Sequence, residues 1–157
     1  SATIALGVVI GSDVDIGESC VIGPNSTIDH VSIDEGSRIG SNCSIGADGF
    51  GFEIDESTGE VFKFPHSGRI VIGRHVEIFN NVCVARGTLA DTVIGDAVKI
   101  DNLVHVAHNV RIGNGAFVIA NSMLGGSAAL GPGAWIAPST SVLNGLSVGA
   151  LAMTGIS

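Results

Sequence analysis

The chain has 157 residues, a net charge of −8, 23 glycines, six Phe, one Trp and no Tyr. This length predicts one domain over residues 1–157, and the acidic balance excludes a nucleic-acid-binding surface, which needs clustered Lys and Arg. No apolar run reaches the length of a membrane span and no signal peptide opens the sequence. With three Cys and no disulfide framework, the expected setting is the reducing cytoplasm.

Taken in order, the first half shows an aliphatic residue at steps of six: Ile4, Ile10, Ile16, Ile22 and Ile28. Ile33 then arrives one residue early, and Ile39 and Ile45 resume the step, so Asp29–Ser32 must hold a tightened turn. Cys20 and Cys43 fall four residues after an aliphatic, where Cys acts as a small hydrophobe. The period fails over about 46–71, a stretch that holds four of the six Phe. Two alternating segments there flank Asp55-Glu56-Ser57-Thr58-Gly59 and predict a β-hairpin that leaves the main body. Ile72, Ile78 and Val84 resume the step, and Arg86 to Thr92 interrupts it once more by four residues.

From Ile94 onward the step of six never slips, through Ile100, Val106, Ile112, Val118, Leu124, Leu130, Ile136 and Val142 to Val148. Six is neither the 3.6 of a helix nor the 2 of an isolated strand, so it marks a repeat. The residue after the aliphatic is usually Gly, Ala or Asp, and the residue four on is small or Val, with Leu146 the largest. Stacked coils of three such units make each residue the neighbour of the one eighteen away, and the first and fifth positions point inward. The pattern resembles the hexapeptide repeat, which implies an all-β, left-handed parallel β-helix. That hand runs against the usual right-handed crossover and rests on the resemblance. From Ile112 to Ser157 there is no Asp, Glu, Lys, Arg or His, so this apolar surface calls for a cover such as trimer packing or an acyl chain.

Chemistry concentrates in Leu103-Val104-His105-Val106-Ala107-His108-Asn109-Val110. Val104, Val106 and Val110 take inward slots, which turns His105 and His108 outward. Eighteen residues after His108 stands Gly126, and Gly125-Gly126 is expected to leave two amides open beside the imidazole. A base next to an open N–H is the minimum apparatus for acyl transfer, taking a proton from the nucleophile and stabilising the oxyanion. An outward His is also an ordinary surface or trimer-contact residue. A zinc site shared across a trimer, as in β-helical carbonic anhydrases, is the rival. It would need a third His, and His75 lies thirty residues before His105, which places it on another face; no metal is expected.

Gly46-Ala47-Asp48-Gly49-Phe50-Gly51-Phe52, Gly68-Arg69-Ile70-Val71-Ile72-Gly73, Arg86-Gly87-Thr88-Leu89-Ala90-Asp91-Thr92, Ile100-Asp101-Asn102 and Ala107-His108-Asn109-Val110 follow one another in this order. Together they resemble the UDP-3-O-(3-hydroxyacyl)glucosamine N-acyltransferase family of lipid A biosynthesis, over essentially the whole chain. UDP-N-acetylglucosamine O-acyltransferase, a related family, shares the His-x-x-His and the Arg-Gly-Thr. The resemblance implies a homotrimer with sites between subunits, His108 as general base and the Gly126 amide as oxyanion donor. It implies an acyl carrier protein or CoA thioester as donor, a UDP-amino sugar as acceptor and no bound cofactor. His105, Asn109, Arg86, Phe50 and Phe52 are candidate substrate contacts in the groove walls.

The chain departs from the family in several respects. It starts at Ser1 directly in the repeat and stops within a repeat at Ser157, as a fragment or a chain without its relatives' appendages would. A second family His is replaced where Leu146 follows Asn144-Gly145. Seven basic residues lie between Arg38 and Arg111, and Arg69, Arg74, Arg86, Lys99 and Arg111 are candidates for docking an acidic carrier protein. Two alternatives remain: an acetyl-CoA-dependent sugar N- or O-acetyltransferase with the same base, and a non-catalytic trimeric β-helix scaffold.

Overall fold

The structure is a computed structural model and describes residues 1–155. Twenty-one of its strands form three seven-stranded parallel sheets, the faces of a triangular prism, and the other two form a separate antiparallel hairpin. Ile94 pairs with Ile112 and Ile112 with Leu130, which is the expected spacing of eighteen. Ile94, Ile100, Val106, Ile112, Val118, Leu124, Leu130 and Ile136 are all buried, as are the fifth-position residues Val98, Val104, Val110, Ala116, Ala128 and Ala134. The fold is the left-handed parallel β-helix that the hexapeptide pattern implies. Ile4, Ile10 and Leu146 also hold inward slots but are exposed, because they lie in the outermost coils of the described stack.

The corners explain positions that the aliphatic ladder leaves open. Ala97, Leu103, Asn109, Gly115, Asn121, Ser127, Gly133, Ser139, Gly145 and Leu151 all have positive φ. The fourth residue of every unit from Ile94 to Val148 is thus left-handed, which suits Gly and Asn and strains Leu. Position three supplies side-chain caps. Asn114 Oδ1 accepts from the Asp96 amide at 2.9 Å, one coil below, and packs against Gly95, where a Cβ would collide with it. The same fit of an Asx side chain over a glycine recurs between Asp96 and Gly73 and between Asn80 and Gly40. Where a hydroxyl takes the inward fifth position it bridges coils: Ser26 Oγ donates to Gly40 O at 2.8 Å and accepts from the Cys43 amide at 3.0 Å. This inward hydroxyl is therefore satisfied.

The early aliphatic at Ile33 is absorbed at the corner. Ile16 pairs with Ile33, seventeen residues on, and His30 takes a φ of +44°. The hairpin strands are Phe52–Ile54 and Val61–Lys63, with Val61 opposite Ile54 and Lys63 opposite Phe52. Asp55 closes the tip through its Oδ1, which accepts from Ser57 N and Oγ at 2.8 and 2.6 Å. The excursion is shorter than expected, because Ser44–Ala47 and Ile70–Ile72 are prism strands. Ile70 is buried and pairs with Val31 and Thr92, so the chain leaves at Asp48 and returns at Arg69.

Candidate active site

A groove of about 230 Å3 runs along one face and its corner, lined by Gly49, Phe50, Ala85, His105, Ala107, His108, Met123, Gly125, Gly126 and Asn144. The prism supplies its floor. Strand His105–Val106 lies between Cys83–Ala85 and Met123–Leu124, so His105 projects outward from the ladder that holds Cys83 and Met123. His108, Gly126 and Asn144 occupy the third position of equivalent units in successive coils and form one corner ladder. The hairpin root supplies the far wall, where Phe50 is 91% exposed and meets Phe52 edge-on at 5.1 Å.

The orientation of His108 follows from its neighbour. Asn109 Nδ2 donates to Ala90 O at 2.6 Å, and Asn109 Oδ1 accepts from Thr88 Oγ1 at 2.8 Å and Thr88 N at 3.2 Å. These partners allow only one orientation of the carboxamide, with its oxygen facing His108 Nδ1 at 3.0 Å. An oxygen accepts, so Nδ1 carries the proton and Nε2 keeps its lone pair. The imidazole lies over Gly126: a Cβ there would stand 2.7 Å from Cε1 and 2.8 Å from Nε2. Gly126 is thus the space into which the imidazole leans. Asn109 itself is outside the groove lining; it orients the His108 ring and does not form a wall.

The amides beside His108 are not open, contrary to the sequence expectation. Gly125 N donates to Val142 O at 2.8 Å, and Gly126 N donates to Asn144 Oδ1 at 3.0 Å. The reason is the corner rule above: Asn144 repeats what Asn114 does one corner away. Asn144 is exposed, so nothing clamps its carboxamide from outside.

Arg86 does not reach the groove either. Its Nε and Nη2 grip Asp48 Oδ1 at 2.8 and 2.7 Å, and Lys63 Nζ also bonds Asp48. The Lys63 ammonium, followed by the Arg86 guanidinium, holds the Asp48 carboxyl below the usual carboxylate range. The three residues pin the hairpin root to the prism. Phe52 braces Phe50 from outside the groove lining. His105 does line the groove, and partial burial of its ring lowers its pKa. His75 sits at a different corner, where its amide donates to Glu35 O at 3.0 Å. Among the described residues no group of three His, Cys, Asp or Glu side chains is placed to share a metal ion. Of the proposed docking cations, Arg69 pairs with Asp13 and Asp15, Arg74 with Asp34 and Glu35, and Lys99 with Glu77. These pairs leave Arg111 as the one docking candidate without a carboxylate partner among the described residues.

Two residues of the site escaped the sequence reading. Asn144 was legible in principle, since it follows Gly126 by eighteen. His66 was not, because it lies in the aperiodic stretch. It is buried, its Nδ1 lies 3.1 Å from Phe64 O, and its ring meets His108 edge-on with centroids 5.7 Å apart.

Known proteins carry the same pattern. The bacterial transferase hexapeptide family model (six repeats) matches residues 91–126, which include His105, His108 and Gly126. UDP-3-O-acylglucosamine N-acyltransferase 1 of Francisella tularensis subsp. holarctica (strain OSU18) is 45% identical over 112 residues, covering 71% of this chain and 32% of that protein. The chain is a relative of the UDP-3-O-acylglucosamine N-acyltransferases. UDP-3-O-acylglucosamine N-acyltransferase 2 of Legionella pneumophila (strain Lens) is 48% identical over 102 residues, covering 65% of this chain and 27% of that protein. The chain therefore spans about a third of the length of these relatives. Among solved structures, the Arabidopsis UDP-N-acetylglucosamine acyltransferase superposes with a TM-score of 0.72 at 22% identity, covering 97% of this chain and 61% of that one. The Campylobacter jejuni UDP-N-acetylglucosamine acyltransferase gives 0.61 at 22% identity, covering 98% and 65%. At that identity the likeness concerns the fold.

Proposed function

We propose that this chain carries the catalytic groove of an acyltransferase that moves an acyl group from a thioester to the amine of a nucleotide-linked amino sugar. The observation that carries this reading is the fixed tautomer of His108, with Nδ1–H held by Asn109 and Nε2 presented over Gly126. As the acceptor nitrogen attacks the thioester carbonyl, the C–N bond forms and Nε2 takes the nitrogen's proton. Collapse of the tetrahedral intermediate breaks the C–S bond, and the imidazolium returns the proton to the departing thiolate. All atoms balance, with no metal or bound cofactor in any step.

The Gly126 N–H is the proposed oxyanion donor, and in the resting structure Asn144 Oδ1 stands where the oxyanion belongs. In this reading Asn144 turns away as the substrate carbonyl arrives. We read the donor as an acyl carrier protein or CoA thioester, and the assembly as a cytoplasmic homotrimer with the groove between subunits. Leu143, Leu146, Leu151 and Met153 support that assembly as exposed apolar side chains in the charge-free coils. The described residues hold no helix long and apolar enough to cross a membrane. The occupied Gly126 amide is the observation that favours a non-catalytic scaffold.

One assay separates these readings. Mass spectrometry follows transfer from acetyl-CoA, 3-hydroxyacyl-CoA and 3-hydroxyacyl carrier protein to UDP-3-O-acylglucosamine, with His108→Ala in parallel and sedimentation to count subunits. Transfer abolished in His108→Ala supports the base, and the preferred thioester identifies the donor. Equal transfer in both proteins refutes the assignment, and none from a folded trimer supports the scaffold.

A further inference from the structure

His66 presents an anomaly that the proposed chemistry does not use. Only 5% of the residue is exposed. Nδ1 faces the Phe64 carbonyl, which can only accept, so in the neutral ring Nδ1 is the donor and Nε2 keeps its lone pair. That Nε2 is buried and has no hydrogen-bond partner among the described residues. Buried acceptors are normally satisfied, and a residue kept only for packing would avoid such a defect.

The surroundings show where the unpaired nitrogen is directed. Measured from the Cβ position of Gly49, His66 Nε2 is 2.8 Å away and His108 Cβ and Cδ2 are each 3.1 Å away. Gly51 likewise gives room to His66, whose Cε1 stands 3.1 Å from its Cβ position. Two glycines of the hairpin root thus admit His66 to the back of His108, and the rings meet edge-on at 78°. The imidazole dipole runs from the proton on Phe64 O to the lone-pair nitrogen that lies against Gly49. Its negative end is buried and shares the contact at Gly49 with His108 Cβ and Cδ2.

We propose that His66 is a positioning residue for His108: its ring holds the plane of the base, and its dipole stabilises the positive charge that His108 acquires during transfer. This inference rests on His108 acting as the base. His66 does not touch substrate, because Gly49 lies between Nε2 and the groove. The hairpin insertion therefore contributes to chemistry through His66, which its outward Phe residues do not reveal.

Two variants test the proposal in the same chain. His66→Phe keeps a planar ring and removes the dipole, whereas His66→Gln keeps a donor for Phe64 O and an acceptor toward Gly49. With the dipole lost at close range, kcat is expected to fall about tenfold in His66→Phe, with KM within about twofold. His66→Gln is expected to recover most of that loss. Unchanged kcat in His66→Phe, or a rise in KM alone, overturns the proposal. A second readout needs no turnover: diethyl pyrocarbonate acylates a neutral imidazole and places positive charge on it, as the proton does. The rate of His108 modification, followed by peptide mass spectrometry, is expected to slow about threefold or more in His66→Phe and to recover in His66→Gln. An unchanged modification rate overturns the inference even if wild type shows no transfer. Transfer that persists in His108→Ala refutes the base assignment separately.

Discussion

Replacing Asn109 divides its effect between stability and catalysis, and the structure gives the size of each. Its side chain makes four hydrogen bonds: two from Thr88, one from His108 Nδ1 and one to Ala90 O. The backbone φ is +61°, so Ala would add left-handed strain while Gly would not. Asn109→Gly therefore isolates the side chain. At a net value of about 0.5–1 kcal/mol for each partly exposed bond, the loss is about 2–4 kcal/mol, concentrated where Arg86 to Thr92 packs on the corner. The free imidazole then samples both tautomers and other ring angles. General-base catalysis is worth about 10²–10⁴ in rate, so partial loss of orientation is expected to lower kcat about 10–100-fold.

Asn109→Asp separates the two effects. A carboxylate still accepts from His108 Nδ1 and Thr88, but it meets Ala90 O without a donor. This variant is expected to keep most of kcat while losing stability comparable to Asn109→Gly. Urea unfolding followed by circular dichroism, beside steady-state acyl transfer, measures both quantities. Asn109→Gly with kcat within twofold of wild type would refute the claim that this carboxamide selects the catalytic tautomer.

Gly126→Ala places a methyl group against His108 Cε1 and Nε2 and displaces the base, so transfer is expected to fall at least about 100-fold with circular dichroism unchanged. Asn144→Ala frees the Gly126 N–H and is expected to raise kcat/KM about threefold to tenfold, the worth of one competing hydrogen bond. Asn114→Ala removes the same cap from Asp96 and should cost similar stability without touching the rate; equal kinetics in the two variants would show that Asn144 is a cap and nothing more. Burial holds the His105 pKa below its ordinary value, so the unfolded chain binds the extra proton first. Stability is expected to be full above about pH 6.5 and to decline as pH falls through that value, and His105→Gln should flatten the decline in urea midpoints between pH 7 and 5.

The six-residue period carries nearly all of the fold. An aliphatic at position one and a small residue at position five are needed wherever three faces converge, so burial at Ile94, Val98, Ile100 and Val104 was readable. The same arithmetic aligned His108 with Gly126, and extended once more it reaches Asn144. It did not show that the Gly126 amide is occupied, because a cap depends on side-chain reach between coils and not on residue type at one position. Arg86 was read as a groove wall, and only the folded chain shows it turned onto Asp48, thirty-eight residues away.

The sequence by itself determined the prism, its register and the corner that holds His108, since each follows from a repeat in which every unit meets the same neighbours. The tertiary structure alone decided how that imidazole is held. The loop from Arg86 to Thr92 brings Thr88 and Ala90 to Asn109, and the hairpin brings His66 behind His108. Both segments interrupt the period, so their partners depend on the path of the chain through space, which no spacing in the sequence encodes.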